Sequence, residues 1–242
     1  MMSHAAVRNP ALAVLESALR SRQLDRTLTS ALAPLERTDP SWSVATGVPA
    51  LDACLSGGLP RGQLSEIAGP RSSGRTTVLL RMLAAAAERG EIVALVDTSD
   101  CFDVQSATDA GIDLARLLWI RGHGQGTLER SLKALNLVLQ AGGFAIVAID
   151  LGDVPPAELR GIPYTTWLRV QRTIEGSDTA CVLLGPEPIA RSAGGLTLAL
   201  TGRSSWAGAS DRSRRLTGAQ TRVQIHSPRR RLEGTVAMRS VV

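Results

Sequence analysis

Gly69-Pro70-Arg71-Ser72-Ser73-Gly74-Arg75-Thr76-Thr77 is the stretch that orders the other 233 residues of this 242-residue chain (242 minus these nine). From Gly69 to Thr76 it has the form G-x-x-x-x-G-R-T, a phosphate-binding loop with arginine at the position where lysine is expected. Residues 63–68 ahead of it read as a short buried strand. Residues 78–89 behind it read as a helix that Gly90 ends. Gly69 and Gly74 permit a tight turn, so successive N–H groups point into one concavity, and the helix N-terminus adds partial positive charge. Gly69, Ser72, Ser73, Gly74, Arg75, Thr76 and Thr77 are therefore the expected nucleotide contacts, with the Thr76 hydroxyl as a Mg2+ ligand. The plainer alternative is a Gly/Ser turn that opens an ordinary helix.

Beyond the loop, strand and helix signals alternate. Strands are expected at 91–97, 117–120, 144–150 and 179–184, and helices at 103–110, 127–140 and 165–174. Near-continuous apolar strands between helices predict an α/β fold whose mostly parallel sheet is covered on both faces. The pattern then changes: residues 195–201, 221–226 and 234–239 read as strands with no helix between them, an antiparallel extension of that sheet. Residues 151–160, with Pro155 and Pro156, read as a loop, and residues 44–62 as a glycine-rich approach to the first strand. Leu12, Leu15, Leu19, Leu28, Leu32 and Leu35 line a helical face, so residues 1–43 are expected to form a helical arm and linker, and 44–242 the core.

Composition narrows the classes. Hydrophobic residues make up 44% and charged residues 20%, as in a globular protein. Aromatics are 3%, which argues against a broad base-stacking platform. Cys54, Cys101 and Cys181 lie far apart without metal spacing and are expected as reduced thiols of a soluble, cytoplasmic protein. The net charge is +5, and Lys133 is the single lysine among 27 basic residues, so arginine for lysine is the rule in this chain. The charge is unevenly placed. Residues 202–232 contain Arg203, Arg212, Arg214, Arg215, Arg222, Arg229, Arg230 and Arg231 against one acid, Asp211. Such a localised basic stretch, including the antiparallel segment 202–242, is the expected footprint of DNA phosphate contact. A solvated basic surface is the alternative.

Residues 46–52, 57–62 and 66–77, together with Val96-Asp97, Gly111-Ile112-Asp113 and residues 221–225, closely resemble the bacterial RecA recombinase core, over about residues 44–240. The resemblance implies ATP and Mg2+ as ligands, Asp103 as an acid beside the nucleotide base, and Asp150, at the end of an apolar strand, as the acid that holds Mg2+ through water. It also exposes departures. Thr98 and Ser99 stand where a water-orienting glutamate belongs, with Asp100 one step late. Ser106 replaces the aromatic over the base. A later strand runs into Gly185-Pro186 rather than a phosphate-sensing glutamine, and the DNA loop after it shrinks to about residues 187–193.

This shortened pattern resembles the ImuA family, RecA-like accessory proteins of damage-induced mutagenesis. That implies a role in SOS translesion synthesis, with an inactive Y-family polymerase relative and an error-prone replicative-type polymerase as partners. The basic stretch adds DNA as an expected partner, and the shared core adds RecA and further copies of the chain. Arginine keeps the charge of lysine but has a planar fork and a different reach, so slow or absent hydrolysis is expected. The competing readings are an active DNA-dependent ATPase or recombinase, with Arg75 and Asp100 as substitutes, and a cell-division inhibitor of the SulA type.

Overall fold

The computed structural model describes residues 42–190, 195–210, 212–227 and 235–241. The expected arm, apart from its last residues, and three of the expected DNA contacts, Arg229, Arg230 and Arg231, lie outside these.

The elements follow the order β1 (Ser43–Val44), α1 (Pro49–Cys54), β2 (Leu59–Pro60), β3 (Leu64–Ala68), α2 (Arg75–Glu88), β4 (Val93–Asp97), α3 (Val104–Asp109), a 3-10 turn (Leu114–Arg116), β5 (Leu117–Arg121), α4 (Thr127–Ala141), β6 (Ile146–Asp150), α5 (Pro156–Arg160), α6 (Tyr164–Ile174), β7 (Ala180–Gly185), β8 (Thr197–Ala207), β9 (Arg215–His226) and β10 (Thr235–Val241). β1 and β2 pair by themselves. The others form one sheet in the order β10-β9-β8-β3-β7-β6-β4-β5. The block from β8 to β5 is parallel, and β9 and β10 continue it antiparallel.

Alternation along the parallel strands feeds two apolar clusters, one on each face. Ile67, Leu95, Ile146 and Ala148 join Val78, Leu79, Met82 and Leu83 of α2. Leu64, Val96, Val147 and Ile149 join Leu135 and Val138 of α4 and Trp167 and Val170 of α6. A strand whose side chains all find apolar cover has no polar face, which is why these segments read as unbroken apolar runs. Among the described residues, no helix is long and apolar enough to cross a membrane.

Three expectations need correction. Residues 151–160 are not all loop: α5 occupies Pro156–Arg160, with Pro155 and Pro156 at its start, where a missing N–H costs nothing. The approach at 44–62 contains β1, α1 and β2, and the Thr46 amide donates to the Asp52 carboxylate at 2.6 Å to close it. The helix after the phosphate loop begins at Arg75 rather than Val78, because left-handed Gly74 (φ 92°) acts as its N-cap.

Candidate functional site

β3 delivers the loop to the carboxyl edge of the sheet, between β8 and β7. Ligands of open parallel sheets gather at this edge. The Gly69 amide donates to the Gly185 carbonyl at the end of β7 (3.1 Å), and the Leu151 amide to Leu184 (2.9 Å), so one strand end holds both walls of the site. A Cβ on Gly69 would sit 2.5 Å from Ser73 Oγ and 2.6 Å from the Leu200 carbonyl. Gly74 meets β9: a Cβ there would lie 2.6 Å from Thr221 Oγ1. Ser72 also takes a left-handed conformation, φ 61°. The amides that open α2 have no earlier carbonyls to bond, and Thr76 and Thr77 are exposed on that first turn. Ser73 Oγ is buried without a hydrogen-bond partner.

Arg75 does not extend as the lysine of such a loop is expected to. It is 93% buried. Its Nη1 donates to the Gly69 carbonyl at 2.6 Å and its Nη2 to the Gly152 carbonyl at 3.0 Å. The guanidinium therefore bridges the phosphate loop and the turn after β6. Arg71 spans the same gap nearer solvent, through a 2.6 Å ion pair with Asp153.

The acids at the strand ends divide by their contacts. Asp150 is half-buried at the end of β6, in register with Asp97. Burial pushes its carboxyl up, the Gly152 amide (2.8 Å) and Arg75 pull it back, and Asp97 and Asp153 oppose them. Asp97 accepts from the amides of Cys101 (3.0 Å) and Phe102 (2.8 Å) and from Trp119 Nε1 (3.2 Å). Asp103 caps α3, accepting from the Ser106 amide and hydroxyl, so the two residues compared with a base pocket bond to each other. Asp100 is paired with Arg121, at 2.7 and 2.9 Å, and lies 3.7 Å from His123. Thr98, at the glutamate position, is buried with its hydroxyl unpartnered.

Thr76 and Asp150 are suitable donors for a hydrated Mg2+, and the loop amides for phosphate. The basic side chain does not match: Arg75 points both of its terminal nitrogens at backbone carbonyls. The residues present thus fit an anion cradle without its customary cation.

The basic stretch forms a long ribbon. Pairing runs from Thr197↔His226 to Ala207↔Arg215, with an irregularity at Ser205 and Trp206. Arg203, Arg212, Arg214, Arg215 and Arg222 are exposed. Arg222 lies opposite Thr201 and Arg203 opposite Gln220, which places the two arginines diagonally on one face. Trp206, 57% exposed, adds a single aromatic surface near the far end. No described residue of the ribbon is acidic. The strands extend further than the alternation at 195–201 and 221–226 indicated, because polar, arginine-rich segments carry no apolar signal.

Gly152, a lone glycine in a turn, and Gly202 had no sequence signal. Thr221 stood in the resembling segment 221–225, but nothing local showed that it and Gly202 touch a loop so far away in sequence.

Residues 15–167 match the RecA N-terminal domain family. The chain is 40% identical to Protein RecA of Chlorobium chlorochromatii over 122 residues, which cover 49% of this chain and 34% of that protein. It is 39% identical to Protein RecA of Mycobacterium ulcerans over 129 residues (52% and 36%). It is 37% identical to Protein RecA of Clavibacter michiganensis over 152 residues (61% and 41%). The matched stretch thus spans well under half the length of these relatives.

Proposed function

This chain belongs to the RecA N-terminal domain family, and from that premise we propose that it works as a binding protein rather than a motor: a RecA-like accessory factor of SOS-induced translesion DNA synthesis. It docks on an inactive Y-family polymerase relative and an error-prone replicative-type polymerase, contacts DNA through the ribbon, and engages RecA or further copies of itself. The observation that carries the reading is the Arg75 guanidinium held by the Gly69 and Gly152 carbonyls. A cation so held does not follow charge onto a leaving phosphate, and misplacement of about 1 Å costs on the order of 100-fold in rate. Asp100, bound to Arg121, and Thr98, without a carboxylate, offer no group to orient water. What remains intact is surface. The mutagenesis role itself is supported by the resemblance to the ImuA family and by the short segment after β7.

Two measurements on the purified full chain test the proposal. ATP hydrolysis, with and without single-stranded DNA, is expected to stay near background. Co-purification with the two polymerases is expected to succeed, whatever nucleotide is present. Rapid DNA-stimulated turnover that Asp150→Ala abolishes replaces the proposal with an active recombinase-type ATPase. That second reading draws on the exposed Thr76 and the well-placed Asp150. Retention of a division GTPase instead of polymerase favours the SulA-type alternative.

A further inference from the structure

Gly152 is a glycine for lack of space. Its backbone is not in the left-handed region, so any residue can adopt its conformation. A Cβ on it would lie 2.5 Å from Arg75 Nη2, 2.9 Å from Arg75 Cζ and 2.9 Å from Asp150 Oδ1. The guanidinium cannot swing aside freely, because its other nitrogen is held at 2.6 Å by the Gly69 carbonyl inside a buried site. The turn cannot retreat either. The Gly152 amide is fixed to Asp150, the Leu151 amide to Leu184, and Pro155 and Pro156 stiffen the chain where it enters α5. Outside this contact lies a cleft of about 220 Å³, lined by Arg71, Arg75, Gly152, Asp153, Pro156 and Pro186. The Arg71–Asp153 ion pair belongs to that lining.

We propose that Arg75 and Gly152 are a co-fitted pair that turns the phosphate cradle into a permanent joint. The guanidinium ties the loop after β3 to the turn after β6, and the missing side chain at 152 is what admits its bulk. Arginine is longer than lysine and carries a planar fork, so two carbonyls on opposite walls can each take one nitrogen. In a nucleotide-dependent loop these walls are bridged by a bound phosphate. Here the protein bridges them itself, and the loop keeps its shape without ligand. This rests on the reading of the site as a cradle that no longer turns over, and it adds a cause: the tie competes with a triphosphate for the same side chain.

The experiment is a double-mutant cycle on the full chain with Arg75→Lys, Gly152→Ala and the combination. It is read by thermal unfolding and by binding of a fluorescent ATP analogue with Mg2+. Gly152→Ala is expected to lower the unfolding midpoint by about 4 °C or more when Arg75 is present, and by less than half as much beside Arg75→Lys. Arg75→Lys is expected to bind the analogue about 10-fold tighter than the parent, since lysine leaves the cradle to the phosphates. If Gly152→Ala does not fold, soluble expression restored by adding Arg75→Lys is the supporting result. Equal cost in both backgrounds overturns the pairing, as does a combined variant that also fails to fold. Equal analogue affinity in parent and Arg75→Lys overturns the competition. Failure of polymerase or DNA binding sinks the accessory role and leaves the pair standing, so the two ideas fail separately.

Discussion

The Thr221 hydroxyl on β9 donates to the Ser73 carbonyl of the phosphate loop at 3.1 Å, across 148 residues of sequence. The antiparallel ribbon is therefore a brace for the loop as well as a basic surface. Gly202, on the neighbouring strand, is as close: a Cβ there would come within 2.6 Å of the Ser72 carbonyl and 2.9 Å of Ser73 Cα. Thr221→Val, which leaves the Ser73 carbonyl unpartnered, is expected to destabilise the protein by about 1–3 kcal/mol. Gly202→Ala drives a methyl into loop backbone and is expected to cost about 1–3 kcal/mol through overpacking. Denaturant unfolding checks both. A change near zero in the two variants means that the ribbon does not support the loop.

Glu66, on β3, is buried, and its carboxylate accepts from the Ile189 amide at 3.1 Å, the Ala190 amide, and the Thr197 hydroxyl at 3.5 Å. It pins the segment after β7 under the sheet. Burial raises its pKa above the ordinary 4.5, and the three hydrogen bonds reverse only part of that. A carboxyl with a raised native pKa stabilises most below 4.5, and that contribution is lost as pH climbs through the native value. Glu66→Gln keeps an acceptor without the charge. It is expected to flatten the pH dependence of the unfolding midpoint above 4.5 and to match or exceed the parent at pH 7.5. Glu66→Ala strands the buried Ala190 amide and the half-buried Ile189 amide and is expected to cost at least about 1–3 kcal/mol. Parallel pH profiles for parent and Glu66→Gln would remove Glu66 as the source.

Arg121 meets Asp100 through two hydrogen bonds, at 2.7 and 2.9 Å, and stacks over the Trp119 ring, 4.6 Å from its centre. The Arg121 hydrogen bond chiefly holds the Asp100 carboxyl below its ordinary 3.8. The pair's stabilisation is therefore complete above 3.8 and fades as pH falls through the lowered value. Asp100→Asn is expected to shift the midpoint slightly at low salt, with the shift disappearing near 1 M salt. It is expected to leave ATP hydrolysis at the parent's level. A large drop in turnover on this substitution would reinstate Asp100 as the water-orienting group.

Of the expected DNA contacts, Arg203, Arg212, Arg214, Arg215 and Arg222 are described and exposed, and Arg203, Arg215 and Arg222 stand on the paired strands β8 and β9. Replacing all three by alanine should reduce the steepness of log affinity against log salt by about 2 for single-stranded DNA, from about 0.7 for each lost phosphate contact. Trp206→Ala should weaken binding without changing that slope, as stacking does. Binding isotherms at a series of salt concentrations separate the two effects. A slope unchanged by the triple substitution moves the DNA surface elsewhere.

The parallel core was readable because its strands are apolar on both faces and its helices carry apolar stripes; both signals are periodic. α1 and α5 were missed because each is short and begins at a proline that equally suits a loop. Asp150 was legible as a strand-end acid. Asp103 was found through its resemblance to a base-contacting acid, and in the structure its carboxylate caps α3. The exposed Trp206 was hidden by an average: a low aromatic content says nothing about where one aromatic stands.

Local order along the chain was enough to announce a strand, a glycine loop and a helix, to separate a two-sided sheet from its antiparallel extension, and to localise the positive charge. These depend on neighbours within a few residues, where periodicity and turn chemistry act. The destination of the Arg75 guanidinium was not of that kind. Its partners are Gly69, six positions back, and Gly152, 77 positions ahead. Strand order brings them together, with β7 inserted between β3 and β6 and its end fastening both walls. Pairing across the sheet, and the space left where a side chain is absent, turned a lysine-like position into a structural tie.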